Sequence, residues 1–204
     1  MLPAKDALEL LKNGNARFVA GESNMEDHLD QVRRMELVRG QDPSAIILGC
    51  ADARVPVELV FDQGLGDLFV IRVAGNVVCP SQVGSIEFAA KEFGTRLVVV
   101  LGHSGCGAVA ATLAHLQRDT DECTKNVHSI VDRIVPAVES LLGEGQEPDP
   151  EKLLMEAVRA NVRASVEQLK KASPLLEDLQ ENDGLQIVGA KYSLKRGVVD
   201  FLDS

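Results

Sequence analysis

"VVVLGHSGCGAVAA", residues 98–111, runs from an unbroken apolar stretch through a glycine-rich turn into small residues suited to a helix. Consecutive Val and Leu without polar alternation are what a strand carries when both of its faces are covered, as in a parallel sheet. A strand that feeds directly into a helix is the unit from which such sheets are built. Three more runs of strand length repeat the pattern: "AIILG" (45–49), "DLFVIRV" (67–73) and "LQIVGAKY" (185–192). Helical spacing is expected over 84–93, 106–118, 124–142 and 150–172. The fold class read from this alternation is α/β, a mostly parallel β-sheet flanked by helices.

The two ends of the chain depart from the alternation. Leu8, Leu11 and Phe18 lie at helical spacing within residues 4–20, and residues 28–40 repeat that style, so an N-terminal helical arm is expected over 1–40. At the other end, "YSLKRGVVDFLD" (192–203) reads as a hairpin turning at Lys195-Arg196-Gly197, which adds an antiparallel edge strand at the C-terminus. The stretch "GEGQEPDP" (143–150) reads as a loop, with Asp149-Pro150 in the pattern of a helix cap followed by proline at the first helical position. A single domain over 1–204 is expected.

Composition narrows the partners. The chain has 204 residues, and 31 acidic against 21 basic side chains give it a formal charge of −10. Such a surface repels nucleic acid and anionic membranes, so neither is expected as a partner. The N-terminal residues carry charges throughout, unlike a signal peptide, and no apolar run approaches membrane-spanning length, which points to a cytoplasmic protein. Four cysteines, at 50, 79, 106 and 123, are too few to serve as a disulfide framework for a chain of this size. In a reducing compartment they are free thiols or metal ligands.

A second stretch, "LGCADARVPVE" (48–58), sets Cys50, Asp52 and Arg54 at alternate positions. If the strand continued through them, all three would point to one face, where a packed core would want apolar groups. His103 and Cys106 stand at the turn of the first stretch, one helical turn apart. Cys50 also follows a strand, at the sheet edge where sites assemble in open α/β folds. Either half alone fits ordinary packing, since cysteine is among the most buried residue types. Together they offer two thiolates and one imidazole, a donor set suited to zinc with a fourth position left open. Asp52 could then orient a water at that position, and Arg54 could hold Asp52. Nucleotide readings fail, because the glycine-rich turn lacks the Gly-Lys-Ser/Thr ending of a phosphate-binding loop and "GLGDLF" lacks a third glycine.

With these residues in view, the sequence resembles the β-class carbonic anhydrases. The resemblance spans nearly the whole chain and includes "LLKNGNARFVAG", "CADARVP", "FDQGLGDLFVIRVAGN", "GSIEF", "GHSGCGA" and "GAKYSLKRGVVDF". It implies zinc bound by Cys50, His103 and Cys106, and a catalytic dyad of Asp52 and Arg54. It further implies a substrate pocket with Gln41, Phe69 and Phe88, and a backbone N–H from Gly107. The assembly implied is a homodimer with active sites at the interface, which in this family often pairs into a tetramer. Ala51 and Ala53 stand where the family usually has serines, Val73 where it usually has asparagine, and Ile47 where bicarbonate-inhibited members have tryptophan.

The implied reaction is reversible hydration of carbon dioxide to bicarbonate and a proton, by attack of a zinc-bound hydroxide. Two alternatives stay open at this level. The same chemistry could hydrolyse a CO₂-like molecule such as carbonyl sulfide or carbon disulfide. Or the zinc could be structural, with Cys79 or Cys123 as a fourth ligand.

Overall fold

The structure, a computed structural model, describes residues 2–24, 31–117, 124–142 and 149–202. Five strands form one sheet in the order β2-β1-β3-β4-β5, with β1 at Ala45–Gly49, β2 at Leu68–Arg72, β3 at Leu97–His103, β4 at Gln186–Tyr192 and β5 at Val199–Leu202. All pairs are parallel except β4 with β5, which runs antiparallel through the expected C-terminal hairpin. Every residue of β1 and β3 is buried, as the apolar runs require of strands covered on both faces.

One face is covered by the first helix, α1 (Ala4–Ala20), and the short helix Val57–Val60, over a core that includes Leu11, Ile47, Phe61 and Val99. The other face carries helices Pro80–Glu92, Pro150–Lys170 and Pro174–Asn182 over Ile46, Leu48, Ile86, Val100 and Leu176. A third cluster joins helices Gly107–Gln117 and Lys125–Val138 to the helix 150–170, and Cys50 and Cys106 lie within it.

Two helices went unread in the sequence. Val57–Val60 is a single turn, too short to show a period. Pro174–Asn182 carried a legible start, because Ser173 accepts from the Leu176 N–H and Pro174 takes the first helical position. The stretch read as helix over 28–40 is a helix at Gln31–Glu36 followed by a 3₁₀ turn at Leu37–Arg39. Residues 28–30 and the loop at 143–148 lie outside the described residues. Asp149 does cap its helix, accepting from the Glu151 N–H.

α1 is seated by contact and by hydrogen bonds. A Cβ on Gly14 would stand 1.8 Å from the Phe61 carbonyl oxygen, so only glycine allows this approach. Asn15, 6% exposed, donates to the Val60 and Gly197 carbonyls at 3.0 and 2.9 Å and accepts from the Val199 N–H at 2.8 Å. One buried side chain thus ties α1 to both the 57–60 turn and the C-terminal hairpin.

Beside it, the wholly buried Asp62 accepts from Arg17 Nε, Ser23 Oγ and the Asn24 N–H. Burial pushes its carboxyl up, but these hydrogen bonds and the Arg17 charge outweigh burial and hold it below its ordinary value. A lowered carboxyl stabilises the fold above the unfolded value of about 3.9, and this contribution is lost as pH falls below it. Asp62→Asn is therefore expected to cost about 1–3 kcal/mol at pH 7. In urea unfolding followed at several pH values, the gap from wild type should close as pH drops below about 4. An equal gap at pH 7 and in acid would contradict this.

Candidate metal centre

The C-terminal ends of β1 and β3 bring the site together. Gly49 is in register with Leu101, so Cys50 leaves β1 next to the end of β3, where His103 is the last strand residue. The chain then turns through Ser104 and Gly105, the latter at φ +66°, and Cys106 follows immediately before the helix at Gly107. His103 and Cys106 are therefore not two residues of one helix. A strand end and a helix start place them around a tight turn.

The ligating atoms of Cys50, His103 and Cys106 all lie within 4.8 Å of one another, and all three residues are buried. The two sulfurs are 4.0 Å apart. Sulfurs each about 2.3 Å from a tetrahedral ion would stand about 3.8 Å apart, so the pair is already close to the required spacing. His103 Nδ1 faces the Ser104 carbonyl at 3.0 Å, which favours the proton on that nitrogen. Its Nε2 is buried and has no hydrogen-bond partner among the described residues. An orphaned imidazole lone pair aimed at two thiols is a donor set that fits a thiophilic divalent metal. The hydrogen bond between the two sulfurs lowers the Cys50 thiol and raises that of Cys106.

Asp52 and Arg54 meet differently from the alternation expected of a continuing strand. β1 ends at Gly49, and residues 52–55 form a turn closed by Val55 N–H to the Asp52 carbonyl at 3.1 Å. The Asp52 side chain accepts from the Arg54 backbone N–H at 2.9 Å, an Asx turn, and from Arg54 Nε and Nη2 at 2.9 and 2.7 Å. Arg54 also donates to the Gly105 carbonyl at 3.2 Å, linking this turn to the one between His103 and Cys106. The Arg54 hydrogen bonds hold the Asp52 carboxyl well below the usual carboxylate range. Its Oδ2 lies 3.8 Å from His103 Nε2, so the carboxylate faces the point on which the three donors converge.

A family model described as carbonic anhydrase matches residues 45–199. Carbonic anhydrase 2 of Mycobacterium tuberculosis is 41% identical over 195 residues, covering 94% of this chain and 89% of that protein. The carbonic anhydrase of Mycolicibacterium smegmatis is 40% identical over 195 residues, covering 95% and 91%. Among solved structures, the β-carbonic anhydrase CafA of Aspergillus fumigatus has a TM-score of 0.76 at 26% identity, covering 98% of this chain and 91% of that one. The chain belongs to the β-class carbonic anhydrases. A tetrameric β-carbonic anhydrase of Sordaria macrospora shares the fold, with a TM-score of 0.78 at 22% identity over 88% of this chain and 90% of that one.

The other residues singled out in the sequence are distributed unevenly over this β-class carbonic anhydrase chain. Gly107 opens its helix directly after Cys106, where backbone N–H groups are free of helical partners. Phe69 is four rows of the sheet before Cys50, in register with Ile46, which is about 13 Å along the strand. Its ring packs with Phe88 and Phe93 at centroid distances of 6.3 and 6.0 Å, and Phe88 is 53% exposed. Gln41 is exposed in the segment leading to β1. Gln41, Phe69 and Phe88 are thus not gathered around the ligand group of their own chain. Two surface grooves, of about 760 and 550 Å³, are lined respectively by residues such as Met35 and Arg39 and by residues such as Cys79 and Lys171, and neither reaches that group.

Cys79 donates its thiol proton to Gln82 and stands apart from the ligand group, while Cys123 and His28 lie outside the described residues. His115 and His128 are half-buried and meet edge to face at 5.4 Å. Sequence reasoning missed Arg72, which closes the apolar run of β2. It donates to the carbonyls of Cys50 and Asp52 and so fixes the backbone on both sides of Ala51. An arginine ending an apolar strand at the functional edge of the sheet was the available signal.

Proposed function

We propose that the chain catalyses the reversible hydration of carbon dioxide to bicarbonate and a proton, with zinc held by Cys50, His103 and Cys106. The observation that carries this reading is the convergence of three buried donors, one an unpartnered imidazole nitrogen, beside a carboxylate already engaged by arginine. Carbonic anhydrases 40–41% identical over nearly the whole chain support it. Zinc in such a site supplies a Lewis acid that brings the pKa of water toward neutrality.

The protein residues do the rest. Cys50, His103 and Cys106 would hold the ion, which would supply an activated water beside Asp52. Asp52 can accept a hydrogen bond from that water and turn an oxygen lone pair toward the carbon of CO₂. Arg54 grips both Asp52 oxygens and holds the carboxylate in this orientation. The Gly107 N–H, at the open start of its helix, can donate to the oxygen that gains charge as carbon is attacked. A structural site with Cys79 as the fourth ligand finds no support, since that thiol is engaged by Gln82. Cys50, Cys79 and Cys106 form no disulfide among the described residues, which supports a reducing, cytosolic setting.

Gln41, Phe69 and Phe88 serve, in this reading, the site of a second copy. β2 is an open sheet edge, and Phe88, Met35 and Val38 are 53%, 62% and 78% exposed around that side of the chain. Phe88→Asp should therefore shift sedimentation from dimer to monomer and lower CO₂ hydration, although residue 88 is remote from its own chain's donors. A fully active, soluble Phe88→Asp monomer would refute pocket sharing.

Stopped-flow CO₂ hydration, measured with one zinc per chain and again after strong chelation, tests the function itself. Hydration that disappears with zinc and returns with it is expected. Full zinc loading without hydration would overturn the reading, and turnover of carbonyl sulfide in its place would assign the site to a CO₂ analogue.

A further inference from the structure

The helix 150–170 makes no hydrogen bond to the three candidate ligands, yet two of its buried residues reach the loop behind Cys50. Asn161 and Ser165, 2% and 4% exposed, lie one turn apart on the same helix face. Asn161 Nδ2 donates to the Gly75 carbonyl at 2.8 Å, and Ser165 Oγ donates to the next carbonyl, that of Asn76, at 3.3 Å. The flanking positions Val158 and Val162 are buried and apolar. A buried amide among them needs a partner, and the Gly75 carbonyl is its partner.

Gly75 is itself in an unusual state. It sits at φ +71°, ψ +15°, and a Cβ there would stand 2.8 Å from Ile134 Cδ1 and 3.1 Å from Ala108 Cβ. Only glycine accepts that conformation in that space. The loop is held at its other end by Val73 N–H to the Gly49 carbonyl at 3.1 Å and Ala51 N–H to the Val73 carbonyl at 3.3 Å. With both ends held, the Gly75 N–H points at Cys50 Sγ, 3.4 Å away.

We propose that Asn161 is a positioning residue for the metal centre: by gripping the Gly75 carbonyl it aims the Gly75 amide at the Cys50 sulfur, and this N–H···S bond tempers the thiolate as a donor. The inference rests on the reading of Cys50 as a metal ligand. Two thiolates cancel the charge of a divalent ion and so blunt it as a Lewis acid. A hydrogen bond to one sulfur draws charge back from the metal, and partners of this outer kind tune affinity and activity. The carbonyl that Asn161 holds and the N–H that faces Cys50 lie on the two peptide units flanking the Gly75 Cα, so loss of the amide frees this glycine to change φ and ψ and turn its N–H from the sulfur.

The test uses the full-length protein loaded with ¹¹³Cd. In wild type, the Gly75 amide proton should show scalar coupling to the metal through the Cys50 sulfur, and the Asn161 side-chain nitrogen should couple to the Gly75 carbonyl carbon. Absence of either coupling, in protein whose Cys50 β-protons do couple to cadmium, overturns the proposal while leaving the metal reading intact. Cadmium that does not couple to Cys50 at all overturns both. Asn161→Asp replaces the donor by an acceptor of the same shape. In its cobalt-loaded form the thiolate-to-metal charge-transfer band should move to longer wavelength at unchanged stoichiometry, and the zinc form should lose about tenfold or more in turnover. Asn161→Gln, which keeps the amide, should recover part of the band shift. A band that stays in place in Asn161→Asp would show that Asn161 only supports the fold.

Discussion

Cys106→Ala should bind no stoichiometric zinc and hydrate CO₂ no faster than buffer. Cys106 is 1% exposed, and its sulfur is the partner that stands 4.0 Å from Cys50 Sγ, so its removal leaves one thiol and one imidazole where the geometry is built for three donors. A two-donor remnant cannot hold zinc at one per chain. His103→Ala should behave the same way, since its Nε2 is a buried lone pair with no hydrogen-bond partner among the described residues. Cys79→Ala provides the contrast, because that thiol is bonded to Gln82 outside the group, and it should retain one zinc per chain. Elemental analysis beside stopped-flow hydration distinguishes these outcomes. Full zinc content in Cys106→Ala would show that the metal sits elsewhere.

Asp52→Asn should keep zinc near one per chain and still lose about 10²-fold or more in CO₂ hydration, the range expected for a positioned acid–base or electrostatic group. The change keeps the shape of the side chain and much of the turn, because the Asn oxygen can still accept from the Arg54 backbone N–H. It removes the charge that Arg54 grips at both oxygens, and it puts an NH₂ where an acceptor faced the converging donors. Water at that point then receives a hydrogen bond instead of donating one, and its lone pair is no longer directed at carbon. Arg54→Ala should also reduce the rate, by freeing the Asp52 carboxylate to turn. Arg54→Lys should restore only part of it, since a point charge cannot reproduce the two-point hold of a guanidinium. Wild-type hydration in Asp52→Asn, or zinc loss as complete as in Cys106→Ala, would remove Asp52 from the catalytic role.

Much of the architecture was legible in local pattern. The runs at 45–49 and from 98 onward read as strands because consecutive Val, Ile and Leu have no polar face to show water, and both strands are buried throughout. The cap at Asp149-Pro150 and the C-terminal hairpin were legible because each depends on a few neighbouring residues. Chemistry at Cys50, His103 and Cys106 was legible by residue type, since soft donors at strand ends are poorly explained as packing alone.

What local pattern could not supply was the placement of distant segments against each other. The alternation drawn through Cys50, Asp52 and Arg54 assumed that β1 continued, whereas the strand stops at Gly49 and an Asx turn pairs the two charges. The spacing of sulfur to sulfur depends on β1 lying beside β3 in a register that joins Gly49 to Leu101. The Asn161–Gly75–Cys50 chain depends on a helix 86 residues from the carbonyl it holds. Phe69 and Phe88 were read as pocket residues, and only the tertiary structure put them together at the β2 edge, with Phe69 four rows from the Cys50 of its own chain. Strand and helix periods are set by neighbouring residues, so the sequence by itself determined the elements, their caps and the type of chemistry. Register, approach and the direction of a buried N–H are set by which apolar faces close on one another across the core, and that only the tertiary structure decided.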